Sequence, residues 1–172
     1  YGSHGDKAPE SAPHARSVSD VVRELACPEG DKSKFPCPVR LSSHLGMPQV
    51  SEHEVDWARG GYFGTRGQVA VAIWNAVMRA ELEGGGDNRR LIINLSLGWP
   101  ANAGALDAAD LAVRDAIALA RCRGHLVIAA AGNRAHVFDS EPGPLFPAAF
   151  ERHPAFDRGE CRSTFQVNLS AE

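Results

Sequence analysis

The sequence predicts an α/β fold: a parallel, doubly wound sheet with helices on both faces. Three observations predict it. Helix-like and strand-like segments alternate along the chain, three of each, with connections long enough for crossovers. Two of the strand segments, LIINLSLG (91–98) and HLVIAAA (125–131), are short and almost continuously apolar, as strands buried on both faces are. Each of these two follows an amphipathic helix, the order that right-handed crossovers require.

The elements follow in order. Residues 1–10 read as loop. A first helix starts near Ser11 to His14. Ser11 can cap it, Pro13 is tolerated in a first turn, and Val18, Val21, Val22 and Leu25 keep helical spacing. CPEGDKSKFPCP is a loop, VRLSSHL (39–45) a short strand, and residues 46–64 a long irregular connection. Thr65 and Gln68 have the spacing of a capping box, and Val69, Ala72, Ile73, Ala76, Val77 and Ala80 then form the stripe of a second helix. GGGDN (84–88) stops it before the 91–98 strand. A third helix runs from Leu106 to Arg123, with Gly124 suited to its end, and the 125–131 strand follows. Residues 134–164 read as mostly loop, with FQVNLS (165–170) as one further strand. No internal repeat or low-complexity segment interrupts this pattern.

Composition narrows the function. The 172 residues suffice for one domain with a core, and 44% hydrophobic and 23% charged residues suit a globular chain. Net charge is −3 and the basic residues are scattered, which argues against a nucleic-acid partner. No apolar run approaches the roughly 18 residues of a membrane span. YGSHGDKAPESAP has no signal-peptide core, which leaves the compartment open. None of the four cysteines, Cys27, Cys37, Cys122 and Cys161, forms a C-x-x-C pair, so no zinc site is expected. Cys27 and Cys37 bracket a polar loop and either close it as a disulfide or stay free. Cys122 reads as a small packing residue of the third helix.

Function enters at the strand ends. Ligands of open parallel sheets bind beyond the carboxyl ends of strands. One strand here ends in Ser96-Leu97-Gly98, the other in Ala131-Gly132-Asn133. As neighbours, they would put both endings on one edge. The glycines would allow close backbone approach, the alanines would leave room for a side chain to enter, and Asn133 would present an amide N–H to a developing negative charge. A plain Gly-Asn turn gives the same letters.

INLSLG followed about 30 residues later by VIAAAGN resembles the subtilisin-like serine proteases, and PLFPAAF (144–150) resembles the segment after that family's oxyanion strand. The match covers residues 65–150 best. It implies a subtilisin-like three-layer fold, incomplete at both ends, of which residues 1–172 are the central part. It implies that Ser96, Leu97, Gly98, Ala131 and Gly132 bind substrate and that Asn133 is the oxyanion-hole donor. The family's catalytic histidine opens a helix. His14, in PHARSVSDVV, has valines at +4 and +8 and is the preferred base; a helix N-terminus disfavours its imidazolium. His4, in SHGD, keeps the family's His-Gly pair and is the alternative, whereas Ala15 and Arg16 depart from the family's Gly-Thr. The remaining histidines carry no motif.

Two of the family's motifs are missing. Gly-Thr-Ser, which carries the nucleophile, does not occur, and Ser163-Thr164 lacks the glycine and the small-residue helix. Asp-Ser/Thr-Gly, which carries the orienting carboxylate, is absent, and Asp6 and Asp20 are poor substitutes. The expected protein is therefore a segment of an endopeptidase, inactive alone, whose partners are a peptide or protein substrate and the rest of its own catalytic domain. A non-catalytic, protease-derived peptide-binding module is the alternative. A nucleotide-binding domain has little support, since no G-x-G-x-x-G or P-loop follows a strand. No cofactor is expected; the resemblance allows calcium, though no acidic cluster marks a site, and it favours a secreted setting.

Overall fold

A computed structural model describes residues 13–27, 39–44, 46, 49–50, 62–84, 90–100, 106–132, 145–152 and 157–165. The chain divides into two compact units, residues 1–43 with 56–60 and residues 44–55 with 61–172.

In the first unit, α1 spans Pro13–Ala26. Proline opens it because a first-turn N–H has no intrahelical partner to lose. Val18 and Val22 are half-buried, whereas Val21 and Leu25 are exposed. Residues 39–44, expected within a strand, have no regular structure, and Leu45 lies outside the described residues. Along that stretch Val39 is exposed and Leu41 is half-buried.

The second unit carries the remaining elements. Within the stretch expected to be irregular, β1 (Gln49–Val50) and β2 (Tyr62–Phe63) pair antiparallel, Gln49 opposite Phe63. The helix α2 spans Arg66–Gly84 and opens with the predicted capping box. The Thr65 N–H donates to Gln68 Oε1 at 2.7 Å and the Gln68 N–H donates to Thr65 Oγ1 at 3.2 Å. The strands β3 (Ile92–Leu95) and β4 (Leu126–Ala129) pair in parallel, in the register Ile92–Leu126 through Leu95–Ala129. Between them, α3 (Ala108–Cys122) is capped by Asp107, whose Oδ1 accepts from the N–H groups of Ala109 and Asp110, both at 2.9 Å. Gly124, at φ +78°, then turns the chain into β4, as the sequence suggests.

The core lies between this pair of strands and the two helices. Val69, Ala70, Ile73 and Val77 of α2 and Val113, Ala116, Leu119 and Ala120 of α3 are buried, with Ile93, Leu95, Val127 and Ala129 of the sheet packed against them. Alternation along each strand sends the other side chains to the opposite face. There Ile92 is 70% exposed and Leu126 and Ile128 are about half exposed. Burial of 91–98 and 125–131 on both faces is thus not met among the described residues: α2 and α3 cover one face. At this level the molecule is a mixed helix–strand protein with a two-stranded parallel sheet.

Two further expectations are corrected. Cys122 is not a free packing residue: it forms a disulfide with Cys161, with 5.6 Å between the Cα atoms. Cys27 is disulfide-bonded too, and Cys37 lies outside the described residues. The segment 134–164 is not mostly loop where it is described. A short 3-10 helix spans Ala148–Arg152, after the cis Phe146–Pro147 peptide bond, and α4 spans Arg158–Phe165. A reciprocal cap explains α4: the Asp157 N–H donates to Glu160 Oε2 at 2.8 Å and the Glu160 N–H to Asp157 Oδ1 at 2.7 Å. Phe165 ends that helix, and the rest of the expected strand 165–170 lies outside the described residues.

Candidate functional site

The parallel register sends both strand ends off the same edge. The last inter-strand bond runs from the Ala130 N–H to the Leu95 carbonyl, 3.1 Å. Beyond it, Ser96 and Leu97 are half-buried and Gly98 is exposed. Ser96 Oγ accepts from Asn94 Nδ2 at 2.9 Å, which ties the side chain back onto its own strand. Leu97 packs against the core. On the neighbouring strand end, Ala131 and Gly132 are exposed.

A third segment joins the two. The Leu145 N–H donates to the Ala131 carbonyl at 3.0 Å. Phe146 and Trp99 exchange a pair of bonds, Trp99 N–H to Phe146 O at 3.0 Å and Phe146 N–H to Trp99 O at 2.9 Å. Phe146 stacks on Phe150, with ring centroids 4.5 Å apart, and meets Trp99 at 6.4 Å. This aromatic row anchors the joining segment to the core.

The two glycines have a packing reason. A Cβ placed on Gly98 would stand 3.0 Å from the Phe146 carbonyl oxygen and 3.1 Å from Leu145 Cβ. A Cβ on Gly132 would stand 3.0 Å from Leu145 Cγ, and Gly132 adopts φ +111°, which L side chains disfavour. Space between the strand ends was expected to admit a side chain from outside. Leu145, a residue the sequence did not single out, lies there.

Beside Gly98 opens a cleft of about 500 Å³, lined by Gly64, Thr65, Arg66, Trp99, Pro100 and Ala109. Its wall is fixed by Asp110, only 3% exposed. Asp110 Oδ1 accepts from Arg66 Nη1 at 2.8 Å and from Trp99 Nε1 at 3.0 Å, while Arg66 Nη2 reaches Asp107 Oδ2 at 2.6 Å. The Asp110 hydrogen bond, opposed by partial burial and aided by both carboxylates, raises the Arg66 pKa. The Asp110 N–H holds Asp107 below the usual carboxylate range, with Arg66 assisting against desolvation. Asp107 was legible as an Asp just ahead of an apolar periodic run, and Asp110 shares the buried face of α3 with Val113.

Of the other candidates, His14 is the second residue of α1, in the first unit. Asn133 and His4 lie outside the described residues, as does Asp6. Ser163 and Thr164 are exposed on α4, and the Ser163 hydroxyl donates to the Glu160 carbonyl at 3.2 Å. Among the described residues no three His, Cys, Asp or Glu side chains converge as for a metal ion. No helix among them is long and apolar enough to cross a membrane. Comparison with protein-family models, with curated proteins and with solved structures finds no match to this chain.

Proposed function

We propose that the chain is a segment of a subtilisin-like serine endopeptidase, in which an extended peptide is held along Ser96–Gly98 and against Ala131–Gly132. One observation supports this most: the Leu95–Ala129 register puts both glycine-bearing strand ends on one sheet edge. An extended peptide laid along such an edge adds backbone bonds while small residues let it come close. The resemblance of INLSLG and VIAAAGN to the family supplies the chemistry, and the Cys122–Cys161 disulfide suits a secreted, oxidising setting. The three-layer, doubly wound form belongs to the same proposal, with further elements over Ile92, Leu126 and Ile128.

The reaction is acyl transfer. A serine supplied by a segment other than this chain attacks the scissile carbonyl; His14 takes its proton and returns it to the leaving amine. Asn133 and a backbone N–H hold the oxyanion, and an aspartate supplied likewise orients His14. The test uses the complete protein. Its sequence is expected to carry Asp-Ser/Thr-Gly before residue 1 and Gly-Thr-Ser after residue 172, and a fluorophosphonate probe should label it. His14→Ala should remain almost unlabelled; equal labelling rejects His14 as the base. A complete sequence without the serine motif replaces the endopeptidase by a non-catalytic peptide-binding module with the same groove.

A further inference from the structure

We infer that Asp110 is a positioning residue of this groove: through the indole of Trp99 it holds the Ser96–Gly98 strand end in the conformation with which an extended peptide pairs. The inference rests on the peptide-binding reading above and adds to it a residue that the peptide does not touch.

Among the described residues Asp110 is the one buried charged side chain. A buried ion pair adds little net stability over apolar residues of the same volume, so the pairing with Arg66 is a weak reason for a carboxylate at this place. The Trp99 indole supplies a better one. Its Nε1–H donates to Asp110 Oδ1 at 3.0 Å, and Arg66 Nη1 donates to the same oxygen at 2.8 Å. An apolar side chain at 110 would leave the indole donor without its acceptor. Arg66 in turn reaches Asp107, the cap of α3, so the acceptor is held from the first turns of both α2 and α3.

Trp99 directly follows Gly98, the residue of this strand end with the most backbone freedom. Pairing with a peptide requires the N–H and C=O groups of residues 96–98 to be set in direction beforehand, because ordering them on binding weakens affinity. The last bond to β4 is at the Leu95 carbonyl. Past it, Leu97 packs against the core and Trp99 carries two anchors, its backbone pair with Phe146 and its indole bond to Asp110. The first anchor fixes the backbone against the joining segment. The second fixes the ring against two helices.

The test is binding of the blocked peptide Ac-Ala-Ala-Ala-Ala-NH2 to the isotope-labelled full chain, followed by NMR at the amides of Ser96–Gly98. Hydrogen exchange of the Trp99 indole N–H is the second readout. Wild type should show shifts at these amides and a protected indole. Trp99→Phe, which keeps a ring and loses the donor, should bind about two- to tenfold more weakly, the cost of ordering one or two groups on binding. Asp110→Ala should bind as weakly and open the indole to exchange. Asp110→Asn, which keeps an acceptor oxygen without the charge, should restore both. Trp99→Phe carries the test alone if the alanine variant does not fold. Wild-type affinity in Trp99→Phe overturns the inference and leaves the groove intact. So does an Asp110→Asn variant that binds as weakly as Asp110→Ala with its indole still protected, since charge rather than position would then be at work. Absence of any amide shift in wild type overturns the peptide-binding reading and the inference with it.

Discussion

At its amino end the β3–β4 pair is tied to α2, α3 and α4 on one face, while Ile92 and Leu126 stay exposed on the other. The Cys122–Cys161 disulfide ties α3 to α4 just ahead of β4, and an ion pair of 2.7 Å joins Arg123 to Glu81 of α2. The Leu91 N–H donates to His125 Nδ1 at 3.3 Å across the two strands. At its carboxyl end the same pair finishes in Gly98 and in the run Ala130-Ala131-Gly132, exposed apart from one leucine reaching across. The contrast separates two jobs that one sheet performs. Interactions at the first end should register in stability and leave ligand binding alone; changes at the second should register in ligand binding as well as in stability.

The largest effect belongs to the disulfide. It closes a separation of 39 residues, for which loop entropy gives about 4 kcal/mol of stabilisation. The Cys122→Ala/Cys161→Ala double variant should lose most of that in urea unfolding, while the backbone amide signals of Ser96–Gly98 keep their positions. Shifts at those amides as large as the shifts around residue 122 would show that the two ends are coupled, and the division of labour would be lost.

Next comes the contrast between the two faces. Leu119, 1% exposed between α2 and the sheet, should cost about 3 kcal/mol as Leu119→Ala. Ile128, 49% exposed on the opposite face, should cost under about 1 kcal/mol as Ile128→Ala. Both are read from unfolding midpoints. Equal losses would mean that the outer face is covered in the protein in solution.

Much of the local helix structure was legible in the sequence, and less of the contacts between distant segments. The capping box at Thr65–Gln68, the buried stripe Val69, Ile73 and Val77, and the Gly124 turn follow from local rules, since each depends on residues within one turn of helix. The neighbouring of Ser96–Gly98 and Ala131–Gly132 was open in the sequence, because a helix between two apolar runs permits parallel pairing without requiring it. Leu145 was not legible. It reaches the gap through the Phe146–Trp99 bridge and its own bond to Ala131, 47 positions from Gly98 in sequence, and no local pattern announces such a contact. Cys122 was misread for the same reason: a thiol on the inward face of a helix looks like packing until α4 is brought beside it. The strand expected at 39–45 is not formed over residues 39–44, where Val39 is exposed and Leu41 half-buried.

At the second end, Gly132→Ala should cost about 1–2 kcal/mol through its positive φ, together with the overlap against Leu145. The expected signature is non-additive. Adding Leu145→Ala should relieve the overlap and leave the dihedral cost, so the double variant should be more stable than the sum of the singles predicts. Strict additivity, measured by chemical unfolding of all four proteins, would mean that Leu145 does not occupy the gap.

The smallest effect returns to the first end and concerns pH. Burial lowers the pKa of His125, Arg123 lowers it further, and Glu81 opposes them. Geometry agrees: His125 Nδ1 accepts the Leu91 N–H, so a proton added there would face another donor, and Nε2 is buried without a hydrogen-bond partner among the described residues. A histidine held neutral in the fold binds fewer protons than it does unfolded. Its stabilising contribution is therefore complete above the unfolded value, about 6.5, and is lost as pH falls below it. Wild type should thus lose stability relative to His125→Gln between about pH 7.5 and pH 5.5, with the glutamine variant free of that titration. A difference between the two proteins that stays constant over this range would show that the histidine is not held neutral. The amino end would then owe its closure to the disulfide and the Glu81–Arg123 pair alone. Peptide binding at Ser96–Gly98 should follow neither outcome, because His125 sits at the far end of β4 from Gly132.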